Sequence, residues 1–458
     1  DGPSLSIYAG GDETNFARAE AGSGGLVAGA GAEANVTAAS TTTAAIADDT
    51  NMGDAVRTQL NVSSLAIRSE HTARFDSQTD TIQASAVGLS GSWATNAVTS
   101  TVDAKIGNNA LITTQNLTVD AVNTSRKNLV DQLRADGELD HDYNVKAGSG
   151  GVLQGNAAES ETDIANQTHA TVGSDADITV TGSVYNPGEF RLTAFNDVEG
   201  YDDVKLDSGG LIVGSGATSA IRADVNDATA AIGDRAQINT VGDVNLETLT
   251  RGVLKVEPQV HTYGLASAAV VDGMARVHSN NQVLVGEDAA IEAMGAVNLL
   301  AGRDHNGVMS YFHVTSHGDE LNASAIPISS LKSHGEIIQN QNIEVAEGAS
   351  IRAARDANLL TELNGNAEIW AYGSGKNWMT AVASGIDSML GSDGISEEMK
   401  GGSSTLEAHG TVTVDGSIEV GILKNLELVI NVDGTVSAQT DGITFTTTQE
   451  SLALNLIQ

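Results

Sequence analysis

Cysteine is absent from this 458-residue chain, which removes disulfides and thiolate metal sites together. A secreted eukaryotic domain of this length would ordinarily carry disulfides. A long, acidic, cysteine-free chain points instead to the bacterial surface. Proline occurs four times and aromatics make up 3%, so a core of large rings is excluded. Positive charge is scarce, with 23 basic against 59 acidic residues and a net charge of −36. No basic stripe could follow a phosphate backbone, which sets nucleic-acid binding aside, and an anionic membrane would repel such a chain. No apolar run is long enough to read as a membrane-spanning helix. The chain starts at Asp1 without Met or a signal peptide, so the expectation is a processed or truncated piece.

What the sequence does have is glycine, 50 in all, and repetition. The string Val/Ile-Gly-x-x-Ala-x-Ile begins at Ile106, Val172, Ile232, Val285 and, with Ala replacing Gly, at Val345. The separations between successive starts are therefore 66, 60, 53 and 60 residues. Self-similarity at such a period marks an array, which offers a long surface rather than one cleft. Within each copy apolar residues alternate for a few positions and then meet Gly, Asn or Asp, the pattern of short half-buried strands and tight turns. The inward positions read from this alternation are Ile106, Ile112, Val172, Ile178, Ile232, Ile238, Val285, Ile291, Val345 and Ile351.

A second motif lies upstream in three units: Gly22-Ser23-Gly24-Gly25-Leu26-Val27, Gly148-Ser149-Gly150-Gly151-Val152-Leu153 and Asp207-Ser208-Gly209-Gly210-Leu211-Ile212. Gly25, Gly151 and Gly210 share one place and read as a turn, at least some of them with positive φ. The spacing suggests that each unit divides into three coils of about 20 residues, stacked to bury a common apolar face. The predicted fold is all-β: a parallel β-helix solenoid, right-handed by the prevailing hand of parallel crossovers. At ~20 residues per coil and ~4.8 Å per coil the rod would be on the order of 110 Å long.

The GSGGL turns, the Ala/Thr/Asn-rich alternation and the VGxxAxI…GDVNL unit resemble the β-helical shafts of filamentous-haemagglutinin-type bacterial exoproteins, including the leukotoxin-family filamentous adhesins. The resemblance covers about residues 20–360 and, more loosely, 400–458. It implies secretion by a two-partner route and display as a cell-surface or matrix fibre. The amino-terminal secretion domain of such proteins is not recognisable here.

The expected layout is a lead-in at 1–20, a shaft at 21–366 with insertions at 123–145 and 302–322, a helical or loop cap at 367–402, and terminal coils at 403–458. The first insertion has room for a short helix near Leu129–Leu133. The cap holds two of the three tryptophans, Trp370 and Trp378, with Tyr372 near by. These aromatics, with Tyr311, His313 and His317 of the second insertion, are the candidate binding residues, suited to stacking on sugar. A cap laid over the apolar end of the stack accounts for the tryptophans more simply. His313 and His317 would share one face of a helix and could ligate a metal there. Their flanks read as strand or loop, so solvated histidines are the simpler account. Asp197, Glu199, Asp202 and Asp203 crowd one stretch, and oxygen-rich clusters suit calcium. EF-hand spacing is absent, and a solvated acidic turn is the plainer reading.

No constellation for catalysis stands out. Carboxylates are scattered, and the GSGG strings recur as turns rather than as a phosphate loop. The function expected is a non-catalytic, extracellular adhesin or biofilm-matrix segment whose partners are surface polysaccharide or protein, and copies of itself end to end. A self-assembling filament subunit and a polysaccharide-active β-helical enzyme are the alternatives.

Overall fold

The structure, a computed structural model, describes residues 4–49, 58–127, 143–182, 187–363, 366–377 and 402–421, together with three short strands between 426 and 447. Every element among them is a strand. The helix expected near Leu129–Leu133, and most of the expected cap including Trp378, lie outside the described residues.

The repeats stack on one another as parallel strands. Leu5–Ile46 pairs residue for residue with Leu65–Ile106, and that stretch pairs in turn with Leu117–Lys127 and Val145–Val172. The series continues through Glu189–Ile232, Asp243–Val285 and Tyr311–Val345. A second, narrower sheet stacks the short strands that follow each VGxxAxI turn, such as Leu111–Thr114, Asp177–Val180 and Gln237–Thr240. The alternating pattern thus sets register: Ile106 lies against Val172, then Ile232, Val285 and Val345. Ile112, Ile178, Ile238, Ile291 and Ile351 form the matching column of the short sheet. All ten are buried, as expected.

Each long strand bends back on itself. The Thr81 and Ser92 hydroxyls hydrogen-bond at 2.8 Å although only 11 residues apart, and Phe75 and Val98 share one buried cluster. The outgoing arm (65–84) and returning arm (88–106) therefore face each other through their inward side chains, joined by an arch at 85–87. This corrects the expected coil of about 20 residues. Pairing partners are separated by a whole repeat of some 60 residues, as in Asp177 and Gln237. One repeat is one tier, and about seven tiers at ~4.8 Å make a stack on the order of 30 Å, not 110 Å.

The space between the arms is banded. A large apolar cluster holds the closed base around Ile112, Ile178 and Leu192. A second gathers Phe75, Val98, Leu254 and Phe312, and a third Val145, Leu206 and Val260. Small polar residues fill the bands between and bond from tier to tier. Ser90 donates to Asn156 at 2.7 Å, Asn156 to Ser208 at 2.8 Å, and Asn96 to Thr162 at 3.1 Å. Buried polar atoms require such partners. The arms are close enough that Ala, Ser, Thr and Asn suffice to fill the gap, which accounts for the scarcity of rings.

The glycines carry a different duty from the one expected. Of the three arch glycines only Gly25 has positive φ, at 150°. A Cβ on Gly151 would lie 1.7 Å from the Ser85 carbonyl oxygen, and one on Gly210 2.9 Å from the Gly151 oxygen. Close stacking of arches, rather than left-handed backbone, selects glycine at those two. The recurrent left-handed site is in the other turn: Asn109, Asp175, Arg235 and Asp288 have φ of 56–58°, and Gly348 at the same place has 74°. Asn and Asp tolerate that region by local hydrogen bonding.

Several expected boundaries shift. Residues 5–20 belong to the first tier rather than to a lead-in. Of the expected insertion at 302–322, Tyr311–Asn322 is regular strand paired with Arg251–Thr262, which leaves only 302–310 as a loop. Asn366–Asn377 likewise continues the ladder as a strand. Ser403–Val414 and Ser417–Val420 extend the parallel stack, but Leu426–Ile430, Val436–Thr440 and Ile443–Thr447 run antiparallel.

Candidate functional site

Strand alternation places Tyr311, His313 and His317 on the outer face of one tier, and Trp370 and Tyr372 on the same face of the next. Thr315 is the ladder partner of Trp370, and His317 that of Tyr372. The His317 and Tyr372 rings stack with centroids 4.3 Å apart and planes 21° apart. Trp370 stands beside them, 58% exposed. Five of the six aromatic and histidine candidates thus share one surface, and the sixth, Trp378, lies outside the described residues. The face is edged with acid. Glu368 is 3.2 Å from the His313 Nδ1, and Glu257 is 3.7 Å from the His317 Nδ1. Each histidine here stands by a single carboxylate, and among the described residues no group of three ligands converges on a metal position.

The four calcium candidates are divided by the same alternation. Asp197 accepts from Arg251 at 2.7 Å and from Arg126 at 3.4 Å, and Glu199 accepts from Arg251 at 3.3 Å. Asp203 faces outward beside Tyr201, whose hydroxyl donates to Glu257 at 2.8 Å. Burial, then the Glu257 and Asp202 charges, push the Asp203 carboxyl up to about 7. Burial likewise raises the Tyr201 hydroxyl. Asp202 points the opposite way, into the interior. Guanidinium groups occupy the positions a cation would take, and the fourth carboxylate is on the other side of the sheet. The calcium reading fails on that geometry.

Further along this outer face, His261 bridges Asp207 at 3.1 Å and Asp319 at 3.7 Å. Hydrogen bonds to the two acids lift the imidazole to about 9 and lower both carboxyls.

The arches make a second surface that sequence reasoning missed as a unit. Val27, Val87, Leu153, Ile212, Ala266 and Ile326 are successive partners in the ladder. Beside them Leu26 is 80% exposed and Leu89 70%. A shallow open groove of about 580 Å³ runs between Val27, Val87, Leu89, Leu153 and Ile212. The segments around the arches, 21–32, 81–102, 147–158, 208–221, 262–271 and 321–331, contain no Asp, Glu, Lys or Arg. An uncharged apolar ridge thus crosses six tiers, roughly 24 Å at ~4.8 Å per step. Contiguous apolar surface of this extent marks contact faces in soluble proteins.

Also missed was a charge cluster inside the stack. Lys127 and Asp202 are fully buried, Asp76 is nearly so, and the Lys127 Nζ lies 2.5 Å from an Asp202 oxygen and 3.5 Å from Asp76. Lys127 stands in the column of Phe75, inside the insertion expected at 123–145, of which 123–127 is instead the end of the strand Leu117–Lys127. Nothing in the local sequence distinguishes it from a surface lysine; only stacking brings Asp76 and Asp202 to it.

No family model, curated protein or solved structure matches the chain.

Proposed function

We propose that this chain is a solenoid shaft segment, a right-handed parallel β-helix with one wide coil per repeat, of a secreted bacterial filamentous adhesin or biofilm-matrix fibre. It acts by attachment and not by catalysis. The observation that supports this reading best is the uncharged ridge built from equivalent positions of six stacked repeats. A stack generates extended surfaces at no cost in new folds, and this one keeps charge away from a single edge in a chain of net −36. The aromatic face of Trp370, Tyr372 and His317 is a second contact surface of the sort that stacks on sugar rings. The partner class is a cell-surface or matrix polysaccharide or protein.

The test is binding of the purified chain to bacterial cells and to isolated matrix polysaccharide. Saturable binding without cleavage of the polymer is expected. Placing lysines on the ridge (Leu89→Lys with Leu211→Lys) should weaken it at least tenfold, and Trp370→Ala should weaken the polysaccharide component. Cleavage of the polymer, or no binding to any surface, would refute the reading. The ridge also favours a second reading, a self-assembling structural filament. Electron microscopy separates the two: uniform short particles fit a shaft segment, and long filaments fit polymerisation.

A further inference from the structure

In the interior, between the second and third apolar clusters, lie a lysine and two carboxyls, Lys127, Asp76 and Asp202. The Lys127 Nζ donates to Asp202 at 2.5 Å and to the Tyr201 carbonyl at 3.2 Å. Ser160 donates to the same Asp202 oxygen at 2.8 Å, and Ser219 donates to the other. Asp76 lies 3.5 Å from the lysine nitrogen and accepts from Asn144 at 2.7 Å and from the Ser77 backbone N–H at 2.9 Å. A cluster with two acids and one base keeps one unmatched negative charge if fully ionised. Burial accordingly raises the Asp76 carboxyl toward its neutral form.

From this arrangement we propose that Lys127 and Asp202 condense to an intramolecular isopeptide bond, with Asp76 as the proton carrier. The Lys127 Nζ to Asp202 Cγ bond forms, and one Cγ–O bond of Asp202 breaks. The ammonium begins with three protons; the amide nitrogen keeps one, and two depart with the oxygen as water. Asp76 takes a proton from the amine and returns it to the leaving oxygen. No oxidant, metal or nucleotide enters the balance. Three physical terms favour the step. The reacting atoms are held in contact, which replaces a bimolecular encounter. The Asp202 and Asp76 carboxylates hold the Lys127 ammonium against the cost of its burial, and Asp76, which burial raises toward its neutral form, stands 3.5 Å away to take up the proton that the amine must lose. The amide product leaves Asp202 and Lys127 without charge, so the desolvation of both is relieved. The bond would add a covalent tie between tiers otherwise joined by backbone ladders and side-chain packing, suited to a shaft under tension.

The decisive experiment is intact-mass spectrometry of the full chain, purified and then denatured. The expected mass is that of the sequence less one water, and protease digestion should yield one branched peptide joining the Lys127 and Asp202 segments. A mass equal to that of the sequence overturns the proposal. Asp202→Asn should lose ammonia in place of water, because the leaving group changes. Asp76→Asn should keep the native circular-dichroism spectrum and the uncondensed mass. A folded Asp76→Asn chain that still loses water would overturn the role given to Asp76. Should that variant fail to fold, the mass of the unsubstituted chain still decides whether the bond exists.

Discussion

Gly150 and Gly151 are chemically identical neighbours, and the structure assigns them opposite tolerance. A Cβ added at Gly150 meets nothing within 4 Å, whereas one at Gly151 lies 1.7 Å from the Ser85 carbonyl oxygen and 2.1 Å from the Gln154 amide nitrogen. The side-chain amide can swing away, but the carbonyl belongs to the arch of the tier below and can move only if the tiers part. Gly151→Ala should therefore break about two backbone hydrogen bonds at the arch, each worth ~1–1.5 kcal/mol when left unmet, for a local loss of about 3 kcal/mol. Gly150→Ala should be neutral or stabilise by about 0.5 kcal/mol, through loss of freedom in the unfolded chain. Because stacked repeats open locally, the fitting assay is amide hydrogen exchange at 85–87 and 151–153, supported by urea midpoints. Faster exchange confined to Gly151→Ala is the expected result. Equal effects of the two substitutions would refute the reasoning, since propensity alone does not separate these positions.

Two further outcomes follow from the packing and the charges. Ile238→Ala, in the middle of the buried column of the short sheet, should lower stability by about 2–5 kcal/mol in urea unfolding, from lost burial and the cavity left behind. A loss below ~1 kcal/mol would mean that the column is not packed. For pH, His261 and Asp203 on the outer face are both raised, so each binds its proton more tightly when folded. His261, at about 9 against an ordinary 6.5, contributes stability that is fully present below 6.5 and lost as pH rises to 9. Asp203, at about 7 against 3.8, makes stability fall between those two values as pH rises. His261→Gln should flatten the alkaline part of a stability–pH profile and Asp203→Asn the acidic part; unchanged profiles would show that neither group is coupled to folding.

The ten core isoleucines and valines were legible because alternation has only two faces and the repeat names equivalent positions. The tier size was not. A strand that doubles back through an arch keeps its alternation on both arms, so period two cannot say where the chain reverses. Spacing between GSGG and VGxxAxI therefore suggested several small coils where each repeat stacks on the next as one doubled-back tier. The aromatic face was half legible: residue type singled out His317 and Trp370, and only register shows that Tyr372 stacks on His317 while Trp370 lies one column away. Lys127 with Asp76 and Asp202 was illegible, since three residues from separate tiers share no local pattern. The calcium candidates failed for the opposite reason. They are adjacent in sequence, and alternation sends Asp202 to the face opposite Asp197, Glu199 and Asp203.

Stacking of whole repeats, one to a tier, underlies every surface described above, and the absence of cysteine allows it to be tested directly. Asp177 and Gln237 are ladder partners in the short sheet, so cysteines placed at both should fall within the ~4.4–6.8 Å Cα range that a disulfide spans. A cysteine pair at Gln237 and Glu257, neighbours only if coils were about 20 residues long, serves as the comparison. Under mild oxidation, free-thiol titration should show the 177/237 pair closing within one chain and the 237/257 pair remaining reduced. Closure of 237/257 with 177/237 left open would contradict the account.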